Sequence, residues 1–318
     1  MADSAETIAN HRNGALAAPW RIGVDVGGTF TDLVLQDAAG RMVIGKVPSV
    51  PADPSKGVLD AVIDVARKQG MAVRDLLRGC AMFVHGSTIA TNTILEGKGA
   101  RVGMLTTEGL RDSVEIRRGL RENMWDHRTP FPPVLVPRYL RRPVRGRIAA
   151  DGGELAPLRI EDVDAAIAMF RTEGVESVAI CLINSYANGA HEAAAARRVR
   201  EADNAWAVSV SSEIMPVVGE YERGSTTVVD AYVAPRVAPY LRALDEKLRS
   251  EGLPRGLLLV QSNGGVASVA QAATRPVNLA LSGPAAGVGA LAMFARAAGT
   301  DDLLSMEIGG TSCDVMLM

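Results

Sequence analysis

The residues best placed to do chemistry occur twice. Asp25-Val26-Gly27-Gly28-Thr29-Phe30-Thr31-Asp32 is echoed by Glu307-Ile308-Gly309-Gly310-Thr311-Ser312-Cys313-Asp314. Each copy reads acid, apolar, Gly, Gly, Thr, two variable residues, Asp, and each falls at a strand–turn–strand corner. Paired glycines accept positive φ and carry no Cβ, so backbone N–H groups can approach phosphate oxygens. Threonine hydroxyls add donors. A carboxylate at a strand end can hold Mg2+ through water and offset the charge of a triphosphate. One copy alone also reads as an ordinary Gly-rich hairpin connector; two copies with the same acid, Gly, Gly, Thr and Asp positions favour a phosphate site.

The elements around these motifs have to hold them at strand ends. Arg21 to Val26, Phe30 to Gln36 and Met42 to Val47 form a β pattern with short turns, which predicts a three-stranded meander. Asp53-Pro54-Ser55 opens a helix in which Val58, Leu59, Val62, Ile63 and Ala66 recur at helical spacing, with Gly70 as its stop. A strand over 81–84, a helix over 89–96 and a strand over 101–105 follow, so that residues 21 to about 106 read as one βββαβα unit. Residues 117–150 read as an irregular Pro-rich arm. Strands and helices alternate again from Ile160, and Arg223 to Arg249 is helical, with Pro235 and Pro239 expected to bend or divide it. Strands alternating with helices imply an α/β protein with largely parallel sheets.

Other segments carry competing readings. His85-Gly86-Ser87-Thr88 follows a strand and opens a helix. His85 is a candidate acid/base catalyst; the alternative is a helix cap beside a satisfied, buried histidine. Gly287-Val288-Gly289-Ala290-Leu291-Ala292 matches G-x-G-x-x-A after apolar Val277 to Leu281, with Glu307 about 20 residues on, as a dinucleotide site requires. Against it, Ser282-Gly283-Pro284 lengthens the turn and Glu307 already belongs to the repeat. Arg138, Arg141, Arg142, Arg145 and Arg147 form a basic run without interleaved aromatics beyond Tyr139, which favours a solvated arm or subunit interface over nucleic acid. There is no G-x-x-x-x-G-K-[ST] loop or G-x-S-x-G elbow, and His11, His85, His127 and His191 lack zinc spacing.

Composition narrows the class. The 318 residues are 47% hydrophobic and 22% charged, with a formal charge of -2, which excludes wholesale disorder and gives no global pull toward nucleic acid. Cys80, Cys181 and Cys313 are odd in number and far apart, which favours a reducing, cytoplasmic setting. The first twenty residues lack a basic segment followed by an apolar one, so they do not read as a secretory signal. Pro276 to Ala295 is free of charge but is interrupted at Ser282-Gly283-Pro284; it is expected to form a buried small-residue helix from about Pro284 and not a membrane span. The chain stops inside the apolar pattern Asp314 to Met318, which suggests a piece of a longer polypeptide.

Taken together, Gly23 to Asp32, His85 to Asn92, Glu220-Tyr221-Glu222-Arg223, Gln261 to Gly265, Leu281 to Gly287 and Ile308 to Ser312 resemble the N-terminal part of the hydantoinase/5-oxoprolinase family, the HyuA-like subunits, within the actin/sugar-kinase/Hsp70 ATPase superfamily. The resemblance implies a duplicated RNase H-like fold of mixed sheets with flanking helices, its second half incomplete here. Residues 1–19 read as a frayed polar leader, and the resemblance implies an N-terminal domain over 20–205 and the start of a second domain over 206–318. It also implies ATP and Mg2+, with Asp25 at the metal and, with His85 and Glu307, at the catalytic centre. Gly27, Gly28, Thr29, Thr31 and Asp32 would form the first phosphate hairpin, and Gly309, Gly310, Thr311 and Asp314 the second. Glu307 departs from the superfamily's usual Asp. The implied chemistry is activation of a carbonyl by phosphorylation, in cyclic amide hydrolysis or in ketone carboxylation, with a HyuB-like second subunit or a fused C-terminal part as partner. A non-catalytic assembly subunit is a third reading.

Overall fold

The computed structural model describes residues 17–50, 53–119, 123, 125–126, 128–130, 132–308 and 313–318. In chain order they form β1 (Trp20–Val26), β2 (Phe30–Gln36), β3 (Met42–Pro48), α1 (Pro54–Lys68), α2 (Val73–Arg78), β4 (Cys80–Ser87) and α3 (Ile89–Leu95). Next come β5 (Val102–Thr107), α4 (Ser113–Ile116), β6 (Arg141–Val144), β7 (Arg147–Ile148), β8 (Glu154–Ala156), α5 (Ile160–Thr172), β9 (Ser177–Cys181), α6 (Ala190–Ala202), β10 (Ala207–Val210) and α7 (Ser211–Ile214). The last group is α8 (Glu220–Ser250), β11 (Leu258–Val260), β12 (Val266–Ser268), α9 (Val269–Thr274), α10 (Ser282–Ala298), β13 (Leu304–Ile308) and β14 (Cys313–Leu317).

Packing gathers these elements into two units. Among the described residues, the first is built from those up to Asn92 together with those from Val237 onward, and the second from those between Thr93 and Arg236. The first unit holds a six-stranded sheet in the order β12-β11-β4-β1-β2-β3. Strands β1, β2 and β3 form the expected antiparallel meander, while β4 runs parallel to β1 and β11 parallel to β4. Alternation along β1 buries Trp20, Ile22, Val24 and Val26 and leaves Arg21, Gly23 and Asp25 on the open face, as a strand period of two requires. Helix α1 packs against the meander through Val58, Val62 and Val65, all fully buried. Its start is fixed chemically: the Asp53 side chain accepts from the Ser55 N–H at 3.1 Å and Pro54 occupies the first turn.

The second unit holds a four-stranded, all-parallel sheet in the order β10-β9-β5-β6. Every residue of β5 and β9 is buried, the pattern of strands covered on both faces. Helix α5 lies close on the sheet because Gly103 has no side chain; a Cβ there would come within 2.7 Å of the Phe170 ring.

Three expectations change. Strand β5 joins the second sheet, so residues 21–106 are not one unit; the first sheet takes its next parallel strand, β11, only after the 93–236 excursion. A strand looks the same in sequence whichever sheet receives it. Pro235 and Pro239 do not divide α8, which is one element; the boundary between the units falls between them, at Arg236 and Val237. The basic arm is not wholly solvated, because it supplies β6 to the sheet and Arg141 is 1% exposed. Arg141 donates through Nε to the Val136 carbonyl at 2.9 Å and pairs with Glu115 at 2.8 Å. Its burial is tolerable only with those partners.

Replacing Arg141 with Ala strips the partners from Glu115 and the Val136 carbonyl and opens a void. We expect a loss of about 3 kcal/mol, read as a lowered urea midpoint, while Arg142→Ala, half-exposed one residue on, should change it by less than about 0.5 kcal/mol.

Candidate functional site

The sequence echo is also a structural echo. In the first hairpin Asp25 lies directly opposite Asp32, and in the second Glu307 lies directly opposite Asp314. Acids facing each other across antiparallel strands repel, so each hairpin holds a local excess of negative charge. The two hairpins also share a field. The Asp25 side chain touches solvent, yet enough protein surrounds it that partial desolvation lifts its carboxyl above the usual aspartate range, with further lifts from Asp32 and then Glu307. Burial and then Asp314 raise Glu307 in the same way. Lys46 answers part of this charge: its Nζ lies 2.7 Å from Asp32 and 4.8 Å from the centre of the Phe30 ring.

The turn of the first hairpin is open. Gly27 donates its N–H to the Phe30 carbonyl at 3.0 Å, while Gly28 and Thr29 are exposed and their N–H groups make no hydrogen bond among the described residues. Ser49 braces the turn from behind, donating its hydroxyl to the Gly27 carbonyl at 2.7 Å and its N–H to the Thr29 carbonyl at 2.9 Å. Thr31 is fully buried with its hydroxyl 3.0 Å from Ser49 Oγ, so it belongs to this bracing and not to the open face. Gly309, Gly310 and Thr311 lie outside the described residues.

His85 is not brought to the carboxylates. In the parallel pairing of β1 and β4, Val24 lies beside His85 and Asp25 beside Gly86, which puts Asp25 and His85 on opposite faces of the sheet. His85 is fully buried, its Nε2 3.0 Å from the Tyr240 hydroxyl and its Nδ1 without a hydrogen-bond partner. Desolvation holds it down to about 4, hence neutral at physiological pH. That placement fits the buried structural alternative.

The rest of the His85–Asn92 segment is scaffolding for the acid. A Cβ at Gly86 would meet Asp25 Oδ1 at 3.2 Å, so glycine leaves the carboxyl its space. Thr88 donates its hydroxyl to the Val26 carbonyl at 3.0 Å. Thr91 Oγ1 accepts from the Leu281 N–H at 2.9 Å, and the Ser87 carbonyl accepts from Ser282 Oγ at 3.2 Å, fastening the start of α10 beside the first hairpin. Leu281 adopts φ 60°, a left-handed conformation unusual for a branched residue; the sequence offered no signal for it. Helix α10 in turn receives Glu307. A methyl group on Gly287 would overlap Glu307 Oε1 outright and come within 2.7 Å of Met316 Cε. The extra methylene of Glu307 therefore lays its carboxylate against a position that only glycine leaves open.

Gly287 and Gly289 lie inside α10, which starts at Ser282 and not at Pro284, and residues 276–279 form a 3-10 turn instead of a strand. The strand–turn–helix that a dinucleotide fingerprint needs is absent there, which removes that reading. Among the described residues no helix is long and apolar enough to cross a membrane, and no group of three or more His, Cys, Asp or Glu side chains stands ready to hold a metal ion alone.

Comparison with known proteins places the chain in a family. Residues 21–203 match the hydantoinase/oxoprolinase N-terminal region, and residues 223–318 match hydantoinase/oxoprolinase. The chain belongs to the hydantoinase/oxoprolinase family. It is 38% identical to the caprolactamase subunit alpha of Pseudomonas jessenii over 94% of this chain and 43% of that one. It is 34% identical to the acetophenone carboxylase gamma subunit of Aromatoleum aromaticum over 93% and 42%. A nucleotide-free structure of acetone carboxylase superposes with a TM-score of 0.87 at 27% identity, covering 95% of this chain and 44% of that one. The chain thus spans less than half the length of these hydantoinase/oxoprolinase relatives, and the mixed α/β fold with flanking helices is theirs.

Two outcomes follow from the crowded acids. Asp25 binds its proton more tightly in the folded state than in the unfolded one, so stability falls as pH rises from the ordinary aspartate range through the raised value. Asp25→Asn should therefore melt higher than the parent at neutral pH by calorimetry, and the gain should vanish once the pH drops below the ordinary aspartate range; an equal or lower melting point at neutral pH would contradict the crowding. Gly287→Ala should change stability by no more than about 1 kcal/mol, since helix propensity gained offsets the displaced Glu307. Its signature should be a lower Asp25 titration midpoint by NMR as Glu307 moves away.

Proposed function

We propose that this chain provides the nucleotide-handling part of an ATP-dependent, carbonyl-activating enzyme of the hydantoinase/oxoprolinase family. The observation that carries it is the pair of acid-Gly-Gly-Thr hairpins whose leading acids, Asp25 and Glu307, feel each other's charge. Repulsion of this kind does not stabilise the fold, and a bound cation would relieve it. The strand order of the first sheet, an antiparallel meander followed by parallel strands, supports an RNase H-like unit. We retain 1–19, 20–205 and 206–318 as the sequence-level division of the chain, and a cytoplasmic setting as part of the proposal.

The donors fit hydrated Mg2+. That ion keeps several waters and takes one or two carboxylates together with substrate phosphates, so a set of three protein ligands is not required. Asp25 is the residue to hold it, with Glu307 as the second carboxylate. The N–H groups of Gly28 and Thr29 would be donors for phosphate oxygens, with Gly309, Gly310 and Thr311 as their counterparts in the sequence repeat. Mg2+-ATP, when bound, supplies the phosphoryl group that makes a carbonyl oxygen a better leaving group. The chain's own residues position and neutralise: Lys46 restrains Asp32, Ser49 stiffens the turn, and Gly86 and Gly287 leave room for the two acids.

A cyclic amide such as a hydantoin, 5-oxoproline or a lactam is our first assignment of substrate, because a caprolactamase subunit shares the higher identity. Ketone carboxylation is the second reading, favoured by the close superposition on acetone carboxylase. Both classes of relative are named as subunits, which supports a HyuB-like partner or a fused C-terminal part.

Gly28→Val and Gly310→Val should each weaken ATP binding at least tenfold by calorimetry, as a branched side chain enters the phosphate approach. Unchanged affinity in both would remove the hairpin site. With the partner present, ADP release should rise with lactams or hydantoins and not with ketones plus bicarbonate. The reverse selectivity supports the carboxylase reading, and turnover with neither panel supports a non-catalytic subunit.

A further inference from the structure

The first unit has a second concavity, away from the carboxylates. At the N-terminal ends of β1, β4 and β11 lies a cavity of about 860 Å3, within the size range of small-molecule sites. Arg21, Arg242, Arg249 and Arg255 all line it, facing only Asp245 and Glu246. Asp245 is already committed: it accepts from Arg249 Nε at 2.8 Å and from the Leu257 N–H at 2.7 Å, and its side chain is 15% exposed. The side chains of Arg21, Arg242 and Arg255 make no hydrogen bond or ion pair among the described residues. Three unpaired guanidiniums therefore share one cavity with a single uncommitted, exposed carboxylate.

That arrangement has a chemical meaning. Like charges gathered without partners repel, and a multiply charged anion relieves them. Guanidinium forks match carboxylate and phosphate oxygens in pairs. The lining also offers Met82, Leu258 and Val269, apolar surface on which a carbon skeleton can rest. The position is separate from the hairpins. Arg21 precedes Asp25 by four residues on the same strand, about 13 Å at ~3.3 Å per residue, at the opposite strand end.

We infer that this cavity is a second anion site, taking a small organic di- or trianion, and that it works independently of the phosphate hairpins. The inference does not depend on the proposed reaction. Carboxylate and phosphate sources share the recognising chemistry, so the test uses both: calorimetric titration of the chain with citrate and, separately, with inorganic pyrophosphate. At least one should bind at one site per chain, with affinity that falls as salt is raised. The Arg242→Glu and Arg255→Glu double variant should weaken that binding at least tenfold at an unchanged melting temperature, and Gly28→Val should leave it unaltered. Arg21→Gln alone should weaken it several-fold, which keeps the test available if the double variant does not fold. Binding of neither anion, equal binding by the arginine variants, or loss of binding in Gly28→Val would overturn the inference.

Discussion

Negative charge that the fold concentrates against its own interest governs the first unit. Asp25 faces Asp32 and Glu307 faces Asp314, and the leading acids of the two hairpins also repel each other. A protein under selection for stability alone would not place four carboxylates so, since opposing like charges destabilise a strand pair. Everything nearby serves to keep them there. The meander is anchored by a fully buried stripe, Ile22, Val24, Leu33 and Leu35, so the hairpin cannot splay to separate its acids. Lys46 pairs directly with Asp32, the acid on the second strand, and only partly offsets the charge around Asp25, whose carboxyl stays raised.

The second tier of the site is made of small residues and carbonyls, not of further acids or bases. Gly86 and Gly287 are there for what they lack, since a methyl group at either would press on Asp25 or Glu307. Thr88, Thr91 and Ser282 tie β1, β4 and α10 together through hydroxyl and backbone bonds. This gives the His-Gly-Ser-Thr segment a mechanical purpose that its histidine had obscured. His85 contributes from the other side of the sheet, where its contact with Tyr240 joins β4 to α8.

Local physics made much of this legible in sequence. The repeat, the meander and the Asp53 cap depend on short-range spacing, which a sequence displays directly. The misplaced features depend on partners remote in the chain. Nothing in Val102–Thr107 says which sheet it will join. Nothing in Arg141 distinguishes it from its exposed neighbours, because its burial is decided by Asp112, Glu115 and Val136. His85 was ambiguous for a subtler reason: it adjoins the site in sequence, but a one-residue step along a strand reverses the face. Asp25 and Gly86 share a face, and Val24 and His85 share the other. Only the register between β1 and β4 decides that, and register is a tertiary fact.

The excursion between Asn92 and Val237 explains how the first unit can be assembled from distant segments without undue entropic cost. Loop closure grows only logarithmically with length, and residues 93–236 are not a loose loop but a unit with its own all-parallel sheet and buried strands. Residues that fold into their own unit are already ordered, so they add little of the entropy that a loose loop of the same length would cost when β11 pairs with β4. The helices at both crossings reinforce this. Residues of α3 and α8 fall on each side of the two boundaries, so both crossings lie within helical segments. An unbroken α8, in spite of Pro235 and Pro239, is what such a crossing needs. It delivers Tyr240 to His85, and beyond it the chain returns to supply β11, the anchored start of α10 and finally the second acidic hairpin.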